Sequence, residues 1–136
     1  MLLHSKKFFG PAIMISAICI SLQIAMAAEN WNLLGNNMFL KVNVYYKNEH
    51  QKTGQFPTAY ILYSYHEKNR DQGIPHRSEI ENVQIDCDKS RVKLLDVKWH
   101  SKNMGVGPVV FNTKNLNWQN FEVGTVYNDV KSEICR

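Results

Sequence analysis

The chain has 136 residues, 16 Lys+Arg against 12 Asp+Glu for a formal charge of +4, and 44% hydrophobic residues. That length suits one ordinary domain with its own core, without repeats or low-complexity tracts. The charge excess is too slight to point to nucleic acid or to an anionic membrane surface as partner.

The first 27 residues have the three parts of a secretory signal peptide. Lys6 and Lys7 form a positive start, and Ala12 to Ile24 an apolar core broken only by Ser16, Ser21 and Gln23. Ala25-Met26-Ala27 then sets small residues for cleavage after Ala27. This core is shorter than the ~20 apolar residues of a membrane span and has Gly10-Pro11 at its entrance. Cys19 follows Ile18, where lipid modification needs a small residue, so no lipid anchor is expected. Residues 28–136 form the expected mature domain of 109 positions (136 less 27), with 14 basic and 12 acidic residues and a net charge of +2. No further stretch of the chain is apolar enough to be an integral span.

Trp31 to Leu34 reads as a short opening strand stopped by Gly35-Asn36-Asn37. Met38 to Tyr46 is the clearest strand, because Met38, Leu40, Val42, Val44 and Tyr46 alternate with Phe39, Lys41, Asn43 and Tyr45. Lys47 to Gln55 has no periodicity and reads as a loop. Thr58 to Tyr65 is a second strand, with Ile61, Tyr63 and Tyr65 on a core face and Tyr60 pointing out. His66 to Arg77, charged and carrying Gly73 and Pro75, reads as a long connection of the kind that often serves function. Ser78 to Cys87 sets Val83, Ile85 and Cys87 on one face. Asp88-Lys89-Ser90 turns the chain into Arg91 to Trp99, where Leu94-Leu95 marks the slip in alternation that a bulge makes. Asn103 to Pro108 is a turn, and Val109 to Asn112 a last short strand.

Beyond Gly124-Thr125, a breaker and a hydroxyl cap, Val126, Val130 and Ile134 recur at every fourth position and predict a C-terminal amphipathic helix. Such a helix is marginal in water by itself. Cys87 and Cys135, the two cysteines left after signal removal, are expected to form a disulfide. Export carries them into an oxidising compartment, and no C-x-x-C or Cys/His spacing argues for redox or zinc chemistry. The predicted fold is α+β: an antiparallel β-sheet of five to six strands with a C-terminal α-helix packed on one face and disulfide-linked to it.

With the elements in this order, four features resemble the surface-adhesin protein E family. They are Trp31 ahead of the first strand, Ile85-Asp86-Cys87 closing a middle strand, Met104-Gly105 in a later turn, and Trp118-Gln119-Asn120-Phe121-Glu122-Val123-Gly124-Thr125 before a short helix and Cys135. The likeness runs from Trp31 to Cys135. It implies an antiparallel sheet with a C-terminal helix and a secreted or surface-displayed bacterial protein. Its best-known relatives bind host extracellular matrix proteins and can dimerise, so the resemblance implies a protein ligand, from host matrix or envelope, and admits a homodimer. The name-giving adhesin is lipid-anchored, whereas the signal here lacks a suitable lipobox. Periplasmic, secreted and cell-surface placements are all consistent with export of that kind.

No nucleophile–base motif, H-E-x-x-H or phosphate loop is present, so no catalytic residue and no enzymatic activity are expected. His50, His66, His76 and His100 stand at no metal-ligand spacing from one another or from a cysteine. Only His66 and His76, flanking one connection, could meet around a metal or haem; surface histidines are the expectation, with no metal and no cofactor. Glu79 and Glu81, two apart on one strand, are expected as outward charges and not as a carboxylate pair. Trp31, Trp99 and Trp118 are expected as core anchors. A protein partner is expected on the exposed sheet face and the His66–Arg77 connection, whose Lys68, Arg70, His76 and Arg77 form the densest basic cluster. The rival expectation is a periplasmic envelope accessory or enzyme-inhibitor protein with no host ligand.

Overall fold

Six strands form in the computed structural model, which describes residues 30–49 and 56–136, with apolar alternation clearest in the central ones. The expected signal peptide, His50 and the rest of the expected loop up to Gln55 lie outside the described residues. The strands are β1 Asn32–Asn37, β2 Val42–Glu49, β3 Thr58–Asn69, β4 His76–Asp86, β5 Arg91–His100 and β6 Val109–Asn120, followed by α1 Val126–Ile134. Each strand pairs antiparallel with the next, so the sheet is a meander in chain order. Directly opposed residues of antiparallel strands share a face. One row on the helix side therefore runs Val44, Tyr63, Glu79, Trp99, Phe111, and the next runs Tyr46, Ile61, Glu81, Val97.

The helix packs across this face. Thr125 Oγ1 caps it by accepting from the Asn128 amide at 3.4 Å. Val130, wholly buried, enters the cluster of Ala59, Ile61, Val83, Ile85 and Val92. Burial of one such side chain stabilises by about 1.5–3 kcal/mol. Polar ties flank it: the Tyr127 hydroxyl donates to Glu81 Oε2 at 3.1 Å, Tyr46 donates to Glu133 at 3.0 Å, and Lys131 donates to Ser90 at 2.8 Å. At the helix end Cys135 is bonded to Cys87, with sulfurs 2.06 Å apart. The six-stranded antiparallel sheet, the C-terminal helix and the disulfide agree with the sequence reading, and the bulge falls at Leu95, opposite the step from Asn82 to Val83.

The opposite face is partly roofed by the β5–β6 connection. Asn103 Nδ2 donates to the Tyr65 carbonyl at 2.7 Å, and the Met104 and Gly105 amides donate to Ser64 and Ser78 hydroxyls at 3.3 and 2.9 Å. Gly105 is required here: its φ is +70°, and a Cβ would lie 2.5 Å from Ile80 Cδ1.

Several expectations are corrected. Met38–Lys41 is a turn, not part of the second strand: the Asn37 side chain accepts from the Leu40 amide and Lys41 takes φ +51°. β1 continues through Gly35 with a register shift instead of stopping there. β2 extends to Glu49, into the expected loop. The His66–Arg77 connection is mostly strand: β3 runs to Asn69 and β4 starts at His76, leaving only a short 3-10 turn at Asp71–Gly73 between them. β6 spans twelve residues where four were expected, since most of this edge strand faces solvent and shows no apolar alternation. Trp99 is a core residue, but Trp31 and Trp118 are only half-buried, under the cations of Lys47 and of Arg91 and Lys93 respectively.

Glu79 and Glu81 are the largest correction. They share the helix face with Val83 and Ile85, and Glu81 is buried under Tyr127. Burial pushes its carboxyl up to about 7, with Glu79 adding to the rise against the hydrogen bonds from Tyr127 and Tyr63.

Two outcomes follow from this packing. Replacing both Cys87 and Cys135 by Ala opens a bridge across 48 positions and lowers unfolding free energy in urea by up to about 4 kcal/mol; an unchanged midpoint contradicts the covalent docking. Glu81 holds its proton up to about pH 7 in the fold, whereas its ordinary value is 4.5. The folded state thus binds more protons across that window, and stability falls by about 3 kcal/mol as pH rises through it, then levels. Glu81→Gln flattens the slope and raises the melting temperature at pH 8; an unaltered pH profile contradicts a buried carboxyl.

Candidate functional site

The helix covers only part of the sheet face. Beyond Val126, between the β1–β2 and β3–β4 turns, a groove of about 520 Å³ remains open. Val42, Val44, Tyr63 and Tyr65 form its floor. Leu40 and Lys41 stand on one lip, and Glu67, Lys68 and Asp71 on the other. Lys41 Nζ reaches Glu67 at 2.6 Å across the two lips, an exposed pair of small energetic weight. The Asn37 turn leaves Met38, Phe39 and Leu40 73%, 92% and 61% exposed, an apolar tip beside the groove. A smaller hollow of about 330 Å³ lies on the opposite face, between Trp31, Tyr60 and Asn82, with Lys47 Nζ over both aromatic rings.

The four expected binding residues do not stay together. Lys68 and Arg70 are exposed, and Lys68 lines the groove. Arg77 is half-buried, its Nη2 donating to the His66 carbonyl at 3.0 Å. His76 is wholly buried and presents nothing to solvent, contrary to a surface histidine. His66 is exposed with Nε2 on Asn43 at 3.2 Å, so it does not join His76 in a shared site.

His76 belongs instead to a polar cluster that the sequence did not disclose. Its Nδ1 donates to the Ile74 carbonyl at 2.8 Å, and its Nε2 lies 2.8 Å from Glu79 Oε1. The Tyr65 hydroxyl donates to the same oxygen at 3.0 Å. The ring is held between Trp99, stacked at 4.3 Å, and the edge of Tyr65 at 5.7 Å. Burial, with Glu79 beside it, pushes the Tyr65 hydroxyl far above its ordinary value, and burial does the same to Tyr63, so both remain protonated donors. A strand places residues three apart on opposite faces, which is why His76 and Glu79 escape a pattern search. The start of β4 lies against a register shift in β3, where four residues between Ser64 and Asn69 oppose the single Arg77. Among the described residues the histidine side-chain hydrogen bonds go to Asn43, Glu79 and the Ile74 and Gly107 carbonyls.

The profile of the family described as surface-adhesin protein E matches residues 31–136. Comparison with curated proteins and with solved structures gives no match. Among the described residues no helix is long and apolar enough to cross a membrane. The matched span takes in all six strands, the helix, both bonded cysteines and the groove. The chain belongs to the surface-adhesin protein E family, and is an adhesin-like binding protein of the surface or exported kind.

Proposed function

We propose that the exported domain, freed of residues 1–27 and carrying no lipid anchor, binds a host extracellular matrix protein through the groove between its two hairpin turns. The observation that carries this reading is the open, apolar-floored groove flanked by the exposed Met38-Phe39-Leu40 tip. Three successive large apolar side chains in solvent contribute nothing to the core, and exposed apolar surface rimmed by polar groups is the usual mark of a protein-binding site. The floor offers apolar contact with tyrosine edges, which suits a partner's hydrophobic side chain. Lys68 on the lip, with Arg70 on the adjoining turn, keeps the basic character expected of this region and favours an acidic residue next to that side chain. Family membership supports the adhesive role and gives no support to an inhibitor without a host ligand.

Binding of the purified mature domain to immobilised host matrix proteins tests this. Phe39→Ser with Leu40→Ser, and separately Lys68→Glu with Arg70→Glu, are each expected to weaken binding at least about tenfold, because truncating interface anchors commonly exceeds about 1.4 kcal/mol. All four side chains are exposed, so melting temperatures are expected to stay close to wild type. Wild-type affinity in both variants sinks the groove as the contact surface, and binding to envelope proteins alone replaces the matrix partner.

A further inference from the structure

The geometry points to a divalent transition-metal site, of the kind Zn²⁺ fills, formed by Asp71, His76 and Glu79 at the edge of the groove. One ligand atom from each of the three lies within 4.8 Å of the others. Zinc bonds of about 2.0–2.2 Å to nitrogen and oxygen put tetrahedral ligand atoms about 3.3 Å apart. His76 Nε2 and Glu79 Oε1 are already closer than that, at 2.8 Å, and Asp71, exposed on the 3-10 turn, has at most about 1.5 Å to close by that geometry.

The hydrogen bonds around the histidine favour a cation over a simple contact. A carbonyl oxygen only accepts, so the Ile74 carbonyl fixes the proton of a neutral His76 on Nδ1 and turns the Nε2 lone pair toward Glu79. A lone pair facing a carboxylate oxygen at 2.8 Å needs something positive between them. A second ring proton would serve, but Asp71 brings a second carboxylate to the same place, and among the described residues no lysine or arginine is ion-paired with either acid. Two carboxylates and one imidazole suit a divalent ion better than one proton.

Each ligand also has the outer support that metal sites use. The Ile74 carbonyl holds the imidazole, Trp99 and Tyr65 clamp its ring, the Tyr65 hydroxyl holds Glu79, and Asn69 Nδ2 donates to Asp71 at 3.1 Å. Asp71 and Tyr65 line the groove, so the remaining coordination position would face it, open to water or to a donor from a bound partner. Imidazole with carboxylates suits Zn²⁺ better than Ca²⁺ or Mg²⁺, which prefer all-oxygen sets.

This inference goes beyond the matrix-binding reading, and a titration without protein partner keeps the two separable. Untagged mature protein, stripped with EDTA, is titrated with Zn²⁺ by calorimetry, and its melting temperature is recorded with and without the ion. One equivalent is expected to bind and raise the melting temperature. Asp71→Ala, which removes an exposed side chain, and Glu79→Gln, which keeps the shape and an acceptor for Tyr65, are each expected to weaken binding at least about tenfold, while His66→Ala leaves it unchanged. No saturable binding by the wild type, wild-type affinity in Asp71→Ala or Glu79→Gln, or loss of binding in His66→Ala overturns the site.

Discussion

The structure depends on the docking of one short helix onto a six-stranded meander. α1 has nine residues, too few for stability in water, and its sequence has only one strip to bury. Tyr127 on Glu81, Val130 in the core and the Cys135–Cys87 bond hold it near its start, middle and end. These contacts fall on β4, on the step beyond it and on the core rows of β3 and β5, so the helix ties the centre of the sheet together while leaving its edges to simple pairing. A meander has only neighbouring strand pairs, and the disulfide supplies a covalent constraint across 48 positions among the described residues.

Docking also fixes what remains open. Val126 closes one end of the groove, and the two turns that overhang it come from the β1–β2 and β3–β4 hairpins. The buried Glu81 is costly where a hydrophobic residue would pack freely, and its neighbour Glu79 engages His76 and Tyr65. The sheet face thus grades from an aliphatic core under the helix to a tyrosine and carboxylate zone beside the groove. The fold carries that gradient on its strands, and the two hairpin turns contribute the rim of the groove.

Much of the framework was legible because its signals are periodic or countable. The alternation from Val42 to Tyr46 and from Thr58 to Tyr65, the fourfold spacing of Val126, Val130 and Ile134, and two cysteines beyond the expected signal all have one simple reading, and the structure agrees on sheet, helix and bridge. Local turn chemistry overrode the pattern at Met38 to Leu40, where an Asn side chain and a left-handed Lys41 expel three apolar residues. β6 was hidden by its own exposure, since an edge strand needs no apolar alternation. The polar cluster was hidden by its spacing: three residues apart on a regular strand assigns His76 and Glu79 to opposite faces, yet their side chains meet at 2.8 Å where β4 begins beside the β3 register shift. Glu81 misled for a different reason, because a charged residue in a strand is ordinarily solvated and nothing local marks the tyrosines that cover it.

The account is tested most directly by amide hydrogen exchange of the mature domain before and after selective reduction of Cys87–Cys135. With the bridge intact, α1 amides should exchange as slowly as those of central strands β3 and β4, and after reduction α1 should lose protection while those strands keep theirs. Fast exchange along α1 in the oxidised protein, or protection unaltered by reduction, would contradict a helix held to the sheet by that bond.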